Sequence, residues 1–391
     1  MKWIKGVLYK VGTGEPVDLL LHHMIVFGVT EFSGKTTVIE SAIAASGYRG
    51  LVFRAKRGEL GFEGAKRIPI FFDDRGIVTW RNLIGLMNTM FDSHVERIPG
   101  MEYAIQQICM EPTQAKTLKE IADRADSRLT VEKAGKKAGG FMEGVFGRFV
   151  NYLKEILPEL EKINPTNRLE MGEEGLYAMD LTGLSDAVKN LIIASVLNKV
   201  YHDVSNVIVV IPEVKKYIPA GQGTPVKWVA NLILSEGRSV GDYMWLDTQN
   251  MKGIDKEPPR NISVRLFDVQ PDPYEIRELL KALPLGENGP TEKEMMTLEM
   301  GQFWAKIRST FVKVYARPVW LPEGLAIKVA KGEVAADSDE VQSFKNVYKL
   351  EEPPIFTDAH LVSKMREERI ATEEDWSEFE PRLRALEEGA A

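Results

Sequence analysis

The stretch Met24-Ile25-Val26-Phe27-Gly28-Val29-Thr30-Glu31-Phe32-Ser33-Gly34-Lys35-Thr36-Thr37 decides how the rest of the chain is read. Its opening is a short apolar run that stops at a glycine, the pattern of a buried strand. From Lys35 to Ser46 apolar and small residues recur at helical spacing, and Gly47 ends the run. The loop between strand and helix is bounded by glycines. A phosphate-binding loop needs backbone N–H groups that point inward, with a helix N-terminus behind them. On this reading Gly28, Thr30, Ser33, Gly34, Lys35, Thr36 and Thr37 hold a nucleotide. Lys35 reaches the β and γ phosphates, and the Thr36 hydroxyl is a ligand of Mg²⁺. ATP and Mg²⁺ are therefore the expected cofactors. The spacing departs from GxxxxGK[ST] by one residue: Gly28 lies six positions before Gly34, so Val29 stands in the first-glycine slot.

Outward from this stretch the α/β rhythm continues. Leu51–Ala55 and Ile68–Phe72 read as two further strands, and strand, loop, helix, strand in that order predicts a parallel sheet. Residues 1–20 alternate like two short strands about a turn at Gly12-Thr13-Gly14. Between about Arg81 and Ile163 the apolar spacing is helical, broken by Pro99, Pro112 and the small, basic stretch Lys133–Gly140. That predicts a helical insertion containing a flexible loop. Strands are expected again at Leu176–Leu181, Val207–Ile211, Tyr243–Thr248 and Ile262–Phe267. Helices are expected from about Ser185 to Tyr201, around Lys227–Val240 and at Glu275–Ala282. Phe303–Ile307 and Phe311–Ala316 are spaced as a hairpin.

A second signal is Val207-Ile208-Val209-Val210-Ile211-Pro212-Glu213. An apolar strand ending in an acidic pair presents Mg²⁺ and an attacking water beside a phosphate loop. Here Pro212 stands where the aspartate of that pair belongs, and Glu213 remains. A carboxylate at a strand end can act as general base toward water. An exposed glutamate with no such task is the plainer reading of Glu213 by itself, and the loop upstream favours the chemical one.

Composition narrows the classes. The 391 residues contain 44% hydrophobic and 27% charged residues, an ordinary globular balance that argues against bulk disorder. The formal net charge of -7 excludes a protein that grips nucleic acid by overall positive charge. The charge is unevenly spread: Glu351–Ala391 holds 12 acidic and five basic residues, and the other 350 residues hold 45 of each sign. The acidity therefore belongs to the C-terminal stretch and the rest is neutral. One cysteine, Cys109, allows neither an intramolecular disulfide nor a multi-cysteine metal site, and suits a reducing compartment. No apolar run is long enough for a signal peptide or a membrane span, so a cytoplasmic protein without a membrane segment is expected.

Taken together these segments resemble the HerA/FtsK superfamily of ring-forming DNA-pumping ATPases, and its HerA branch in particular. Gly14-Glu15-Pro16-Val17-Asp18 and Leu21-His22-His23-Met24-Ile25-Val26-Phe27-Gly28 are similar to that branch's lead into its phosphate loop. Leu51-Val52-Phe53-Arg54-Ala55-Lys56-Arg57-Gly58-Glu59 resembles the next strand, with Arg54 where the family usually has an aspartate. Tyr177-Ala178-Met179-Asp180-Leu181-Thr182-Gly183-Leu184 resembles the strand and turn before the Walker B helix. Glu236-Gly237-Arg238-Ser239-Val240-Gly241, leading to Leu246-Asp247-Thr248-Gln249, is similar to the arginine-containing helix end and the glutamine strand end. The resemblance implies a RecA-like α/β core with a mainly parallel sheet, lacking the N-terminal β-barrel of full-length HerA proteins and carrying a degenerate Walker B. It implies that residues 1–80 and 171–320 form the two parts of the ATPase core. Residues 81–170 would be the helical insertion, and 321–391 a C-terminal acidic appendage.

The roles carried over follow the same positions. The resemblance gives Glu213 the activation of water, Gln249 the sensing of the γ-phosphate, and Arg238 a reach across a subunit boundary. Guanidinium is planar and permanently charged, which suits transition-state phosphoryl oxygens. Arg260 and Arg265 are alternatives to Arg238, and Glu59 is a further candidate for ordering the nucleotide. The implied function is ATP-driven translocation of double-stranded DNA in repair, transfer or packaging. The implied assembly is a homo-oligomeric ring, a hexamer, with a nuclease or other DNA-processing partner. The rivals are a nucleotide-binding ring component whose hydrolysis is weak or lost, and a P-loop protein that acts on another polymer or a protein partner. DNA-contact candidates are Lys133, Lys136 and Lys137 in the small basic stretch, and Lys215 and Lys216 after the Walker B strand. A ring multiplies a few such residues, and phosphate contacts carry no sequence information.

Overall fold

The computed structural model describes residues 2–29, 34–55, 62, 64–74, 82–83, 85, 101–110, 113–135, 141–220, 223–249, 261–282 and 289–348. Eleven strands form one sheet. They are β1 (Trp3–Lys10), β2 (Pro16–Leu20), β3 (Met24–Phe27), β4 (Arg49–Arg54), β5 (Lys66–Ile68) and β6 (Gly175–Asp180). They continue with β7 (Val207–Ile211), β8 (Tyr243–Thr248), β9 (Val264–Phe267), β10 (Gln302–Ile307) and β11 (Thr310–Ala316). The spatial order is β2-β1-β11-β10-β9-β3-β8-β7-β4-β6-β5. From β9 to β5 every neighbouring pair is parallel. From β9 outward through β10, β11, β1 and β2 every pair is antiparallel.

The central strands are apolar throughout because both faces of a parallel sheet are covered. All four residues of β3 and all five of β7 are buried. Alternation divides them between two layers. Met24 and Val26 pack with Val52, Ile208, Val210 and Trp245 against Val38, Ile39, Ala42 and Ile43 of α1 (Lys35–Ser46). Ile25, Phe27, Val209 and Ile211 face the opposite layer. That layer holds α5 (Asp186–Asp203), α6 (Pro225–Glu236) and the insertion, which comprises α2 (Met101–Met110), α3 (Leu118–Ala134) and α4 (Phe141–Ile163). The insertion is thus packed on the sheet's helical layer. Its Glu159 carboxylate accepts hydrogen bonds from the Ser185 N–H at 2.7 Å and the Ser185 hydroxyl at 2.6 Å, at the N-cap of α5.

Several elements differ from the sequence expectation. The strand expected over Ile68–Phe72 is Lys66–Ile68. Pro69 has no N–H for the ladder, and beyond it Phe71 forms an isolated bridge with Thr166, outside the strands of the sheet. The helix expected to reach Val240 ends at Glu236 and tightens into a 3₁₀ turn over Gly237–Val240. At Gly237 a Cβ would lie 3.0 Å from the Asp242 carbonyl oxygen, so the chain packs too closely there for a larger residue. Lys133, expected in a loop, sits in the last turn of α3. The described residues after 321 join the main body. Leu325, Ala326 and Val329 of α9 (Glu323–Lys331) and Val341 and Phe344 of α10 (Asp339–Tyr348) bury against Tyr9 and Tyr315. Two further helices, α7 (Pro273–Ala282) and the short α8 (Glu292–Met296), follow β9. The acidic stretch from Glu351 lies outside the described residues.

Candidate nucleotide-binding site

The site lies where β3, β8 and β7 end, beside the N-terminus of α1. Gly34 caps this helix with φ +73°, a left-handed conformation that glycine adopts without a side-chain clash. Among the described residues no side chain caps it, and no acid lies in its first turn. The first N–H groups of a helix have no intrahelical partner, and the helix dipole favours an anion beside them. Gly28 is demanded by a close approach, since a Cβ there would lie 2.6 Å from the Cβ of Asp268. Thr36 and Thr37 stand half-buried in the first turn of α1. Thr30 and Ser33 lie outside the described residues.

Lys35 is buried, with 6% of its surface exposed. Its Nζ donates to the carbonyl oxygens of Gly28 at 2.7 Å and Val29 at 3.1 Å, and pairs with Asp247 Oδ1 at 3.2 Å. Two of the ammonium's donors thus go to backbone carbonyls, and its charge is balanced by the Asp247 carboxylate. The neighbouring strand ends bring two more polar groups together: Gln249 Nε2 donates to Glu213 Oε1 at 2.5 Å. Glu213 follows the buried Pro212 and takes φ +51°, ψ +47°, an uncommon conformation for a side-chain-bearing residue and one found preferentially at functional sites. The Gln249 carbonyl in turn accepts from Gln270 Nε2 at 2.6 Å, and Gln270 is 3% exposed.

Sequence reasoning therefore missed Asp247 and Gln270. The only signal for Asp247 was an acid two residues before Gln249 in an otherwise apolar strand. For Gln270 there was none, since its contact depends on how the chain leaves β9.

Arg238 lies at the other end of the sheet. Its Nη1 is 2.7 Å from His22 Nε2, and His22 lies two residues before the start of β3, whereas Gly28 and Gly34 follow its finish. Arginine can only donate, so Nε2 of His22 is the acceptor and unprotonated. Burial, followed by the Arg238 charge, holds His22 below the ordinary histidine range. Arg265 sits within β9, paired across to Ile25 and Lys306, with its pKa lowered by burial. Glu59 and Arg260 are outside the described residues. Lys215 and Lys216 are exposed on the 3₁₀ turn that begins next to Glu213. Lys133 is exposed at the end of α3, and Lys136 and Lys137 lie outside the described residues. Among the described residues no group of three or more His, Cys, Asp or Glu side chains is arranged to hold a metal ion. No described helix is long and apolar enough to cross a membrane.

Strand order defines a mixed α/β fold of the RecA-like kind, with one large, mostly parallel sheet covered by helices. Particular solved structures share it. VirB4 of Thermoanaerobacter pseudethanolicus is similar with a TM-score of 0.60 and 12% identity, over 80% of this chain and 96% of that one. The bacterial conjugative coupling protein TrwB, in an unbound form, is similar with a TM-score of 0.53 and 11% identity, over 79% of this chain and 88% of that one. The plasmid coupling protein TrwB in complex with the non-hydrolysable GTP analogue GDPNP is similar with a TM-score of 0.52 and 11% identity, over the same shares of the two chains. At these identities the likeness is one of fold. No family model matches the sequence, and no curated protein matches it.

Proposed function

We propose that this chain is an ATP-driven, ring-forming motor that moves double-stranded DNA. The observation that carries the reading is the buried Lys35 in the first turn of α1, with the Glu213–Gln249 pair on adjoining strand ends. The donor set suits a Mg²⁺–nucleotide. The α1 N–H groups and the Lys35 ammonium meet phosphate charge, and the oxygens of Thr36 and Glu213 are the hard donors that Mg²⁺ takes. That TrwB, which shares the fold, has been seen with a nucleoside triphosphate analogue supports the same use here.

In the proposed reaction Lys35 neutralises charge on the β and γ phosphates, with Mg²⁺ supplying further charge stabilisation when bound. Glu213 accepts the proton of the attacking water. Gln249 hydrogen-bonds to Glu213 and registers the γ-phosphate by exchanging that bond for one to phosphate. Arg238, at the opposite end of the sheet from its own loop, is suited to serve a neighbouring protomer, which is the argument for a ring. We assign DNA-backbone contact to Lys215 and Lys216, next in sequence to Glu213, and to the Lys133, Lys136 and Lys137 stretch. The hexameric state, the cytoplasmic setting and a docked DNA-processing protein such as a nuclease belong to the same proposal. Pro212 favours one second reading, a ring component that binds nucleotide and hydrolyses it slowly or not at all.

The test is ATP turnover with and without duplex DNA. The motor reading expects turnover that DNA stimulates and that Lys35→Ala abolishes. Nucleotide binding without turnover would select the second reading. Turnover indifferent to DNA would overturn the assignment of DNA, and turnover that survives Lys35→Ala would overturn the site.

A further inference from the structure

Strands β7 and β8 run parallel in the register Ile208↔Tyr243 to Ile211↔Leu246. β7 ends at Ile211, and the buried Pro212 follows it into a turn. On β8, Trp245 shares the layer of α1 with Ile208 and Val210, so Asp247, two residues on, continues that face. A buried proline thus follows the strand after which an acid was expected. The neighbouring strand, one place closer to β3, carries an acid one residue beyond the Ile211↔Leu246 pair. Asp247 is directed at the site: its carboxylate is 15% exposed and stands 3.2 Å from Lys35 Nζ.

We propose that Asp247 takes over the task of the acid missing at position 212. This rests on the nucleotide-site reading above. Asp247 balances the Lys35 charge until phosphates draw Lys35 away, and its carboxylate then faces the Mg²⁺ that accompanies the nucleotide. Lys35 engages the Gly28 and Val29 carbonyls and Asp247 at once, so phosphate must displace those partners. Removing the Asp247 charge therefore acts in two directions. It frees Lys35 and takes a negative charge from beside the phosphates, which favours metal-free nucleotide. It also deprives Mg²⁺ of an anionic partner.

The experiment titrates the full chain with a fluorescent ATP analogue, once with Mg²⁺ and once with EDTA. Electron paramagnetic resonance of Mn²⁺ added with ATP gives a second readout. Asp247→Asn is expected to bind the analogue more tightly than wild type in EDTA. Its gain from Mg²⁺ should fall on the order of tenfold, the usual scale for losing a residue that supports a bound metal. Its Mn²⁺ signal should show weaker binding, and Asp247→Glu should restore part of the gain. If Asp247→Asn keeps the wild-type gain, or weakens binding equally in both buffers, the inference is overturned. If wild type binds no analogue in either buffer, the nucleotide-site reading itself fails, a result distinct from the other two.

Discussion

Gly34 illustrates how narrow the requirement at a single residue can be. It turns the chain into α1 at φ +73°, and a Cβ at that position would lie 3.6 Å from the Gly301 Cα, an ordinary contact. Space is therefore not what selects glycine; the dihedral is. A left-handed conformation costs an L-residue about 1–2 kcal/mol, so Gly34→Ala should lower stability by about that amount in chemical denaturation. Nucleotide affinity should fall further if the loop relaxes to escape the strain. Lys35 and Gly34 were legible in the sequence because strand, loop and helix are contiguous. Asp247, more than 200 residues away, was not, because only the placement of β8 beside β3 brings it to Lys35.

Between elements, a buried carboxylate stands just before β8. Asp242 is 1% exposed, and burial lifts its pKa to about 7, against the pull of the Val207 and Asn206 N–H groups and the Arg49 charge. In the unfolded chain the same carboxyl titrates near about 4. Between those values the folded state holds the extra proton, so the contribution of this group to stability falls as pH rises from about 4 to about 7 and is level above that. Asp242→Asn should remove this slope and be more stable than wild type by at least about 1 kcal/mol at pH 8, with the advantage shrinking toward pH 4. Denaturant titrations across that range would test it; an unchanged pH slope would refute it. The sequence told where most elements begin because apolar period and glycine stops coincide, as for α1, which runs from Lys35 to Ser46 and stops at Gly47 as expected. It misjudged the strand at 68–72, where Pro69 overrides an apolar run, and the end of α6, where the tight approach of Asp242 to Gly237 reshapes the last turn.

For the whole molecule, the decisive arrangement is that Arg238 and Lys35 occupy opposite ends of the sheet. If Arg238 serves a neighbouring site, Arg238→Ala and Lys35→Ala should each abolish turnover alone. Mixing the two variants should restore part of it, because some mixed rings pair an intact loop with an intact arginine. An arginine that acts within its own protomer would show no recovery. Neither the order of strands nor this separation was readable from the sequence, which gives elements along the chain and not their neighbours in space. The two layers, by contrast, follow from the alternation of β3 and β7.

The hairpin of β1 and β2 is held to the sheet through β11, where Leu8 faces Ala316 and Tyr9 faces Tyr315. The hairpin must therefore wait for β11, which starts only at Thr310, before it can be secured. The phosphate loop waits as well, since β3 is flanked by β8 and β9. At ordinary rates of translation that interval is on the order of tens of seconds. During synthesis the hairpin thus awaits its partner strand, and the residues proposed to hold nucleotide come together only once β8 and β9 have emerged.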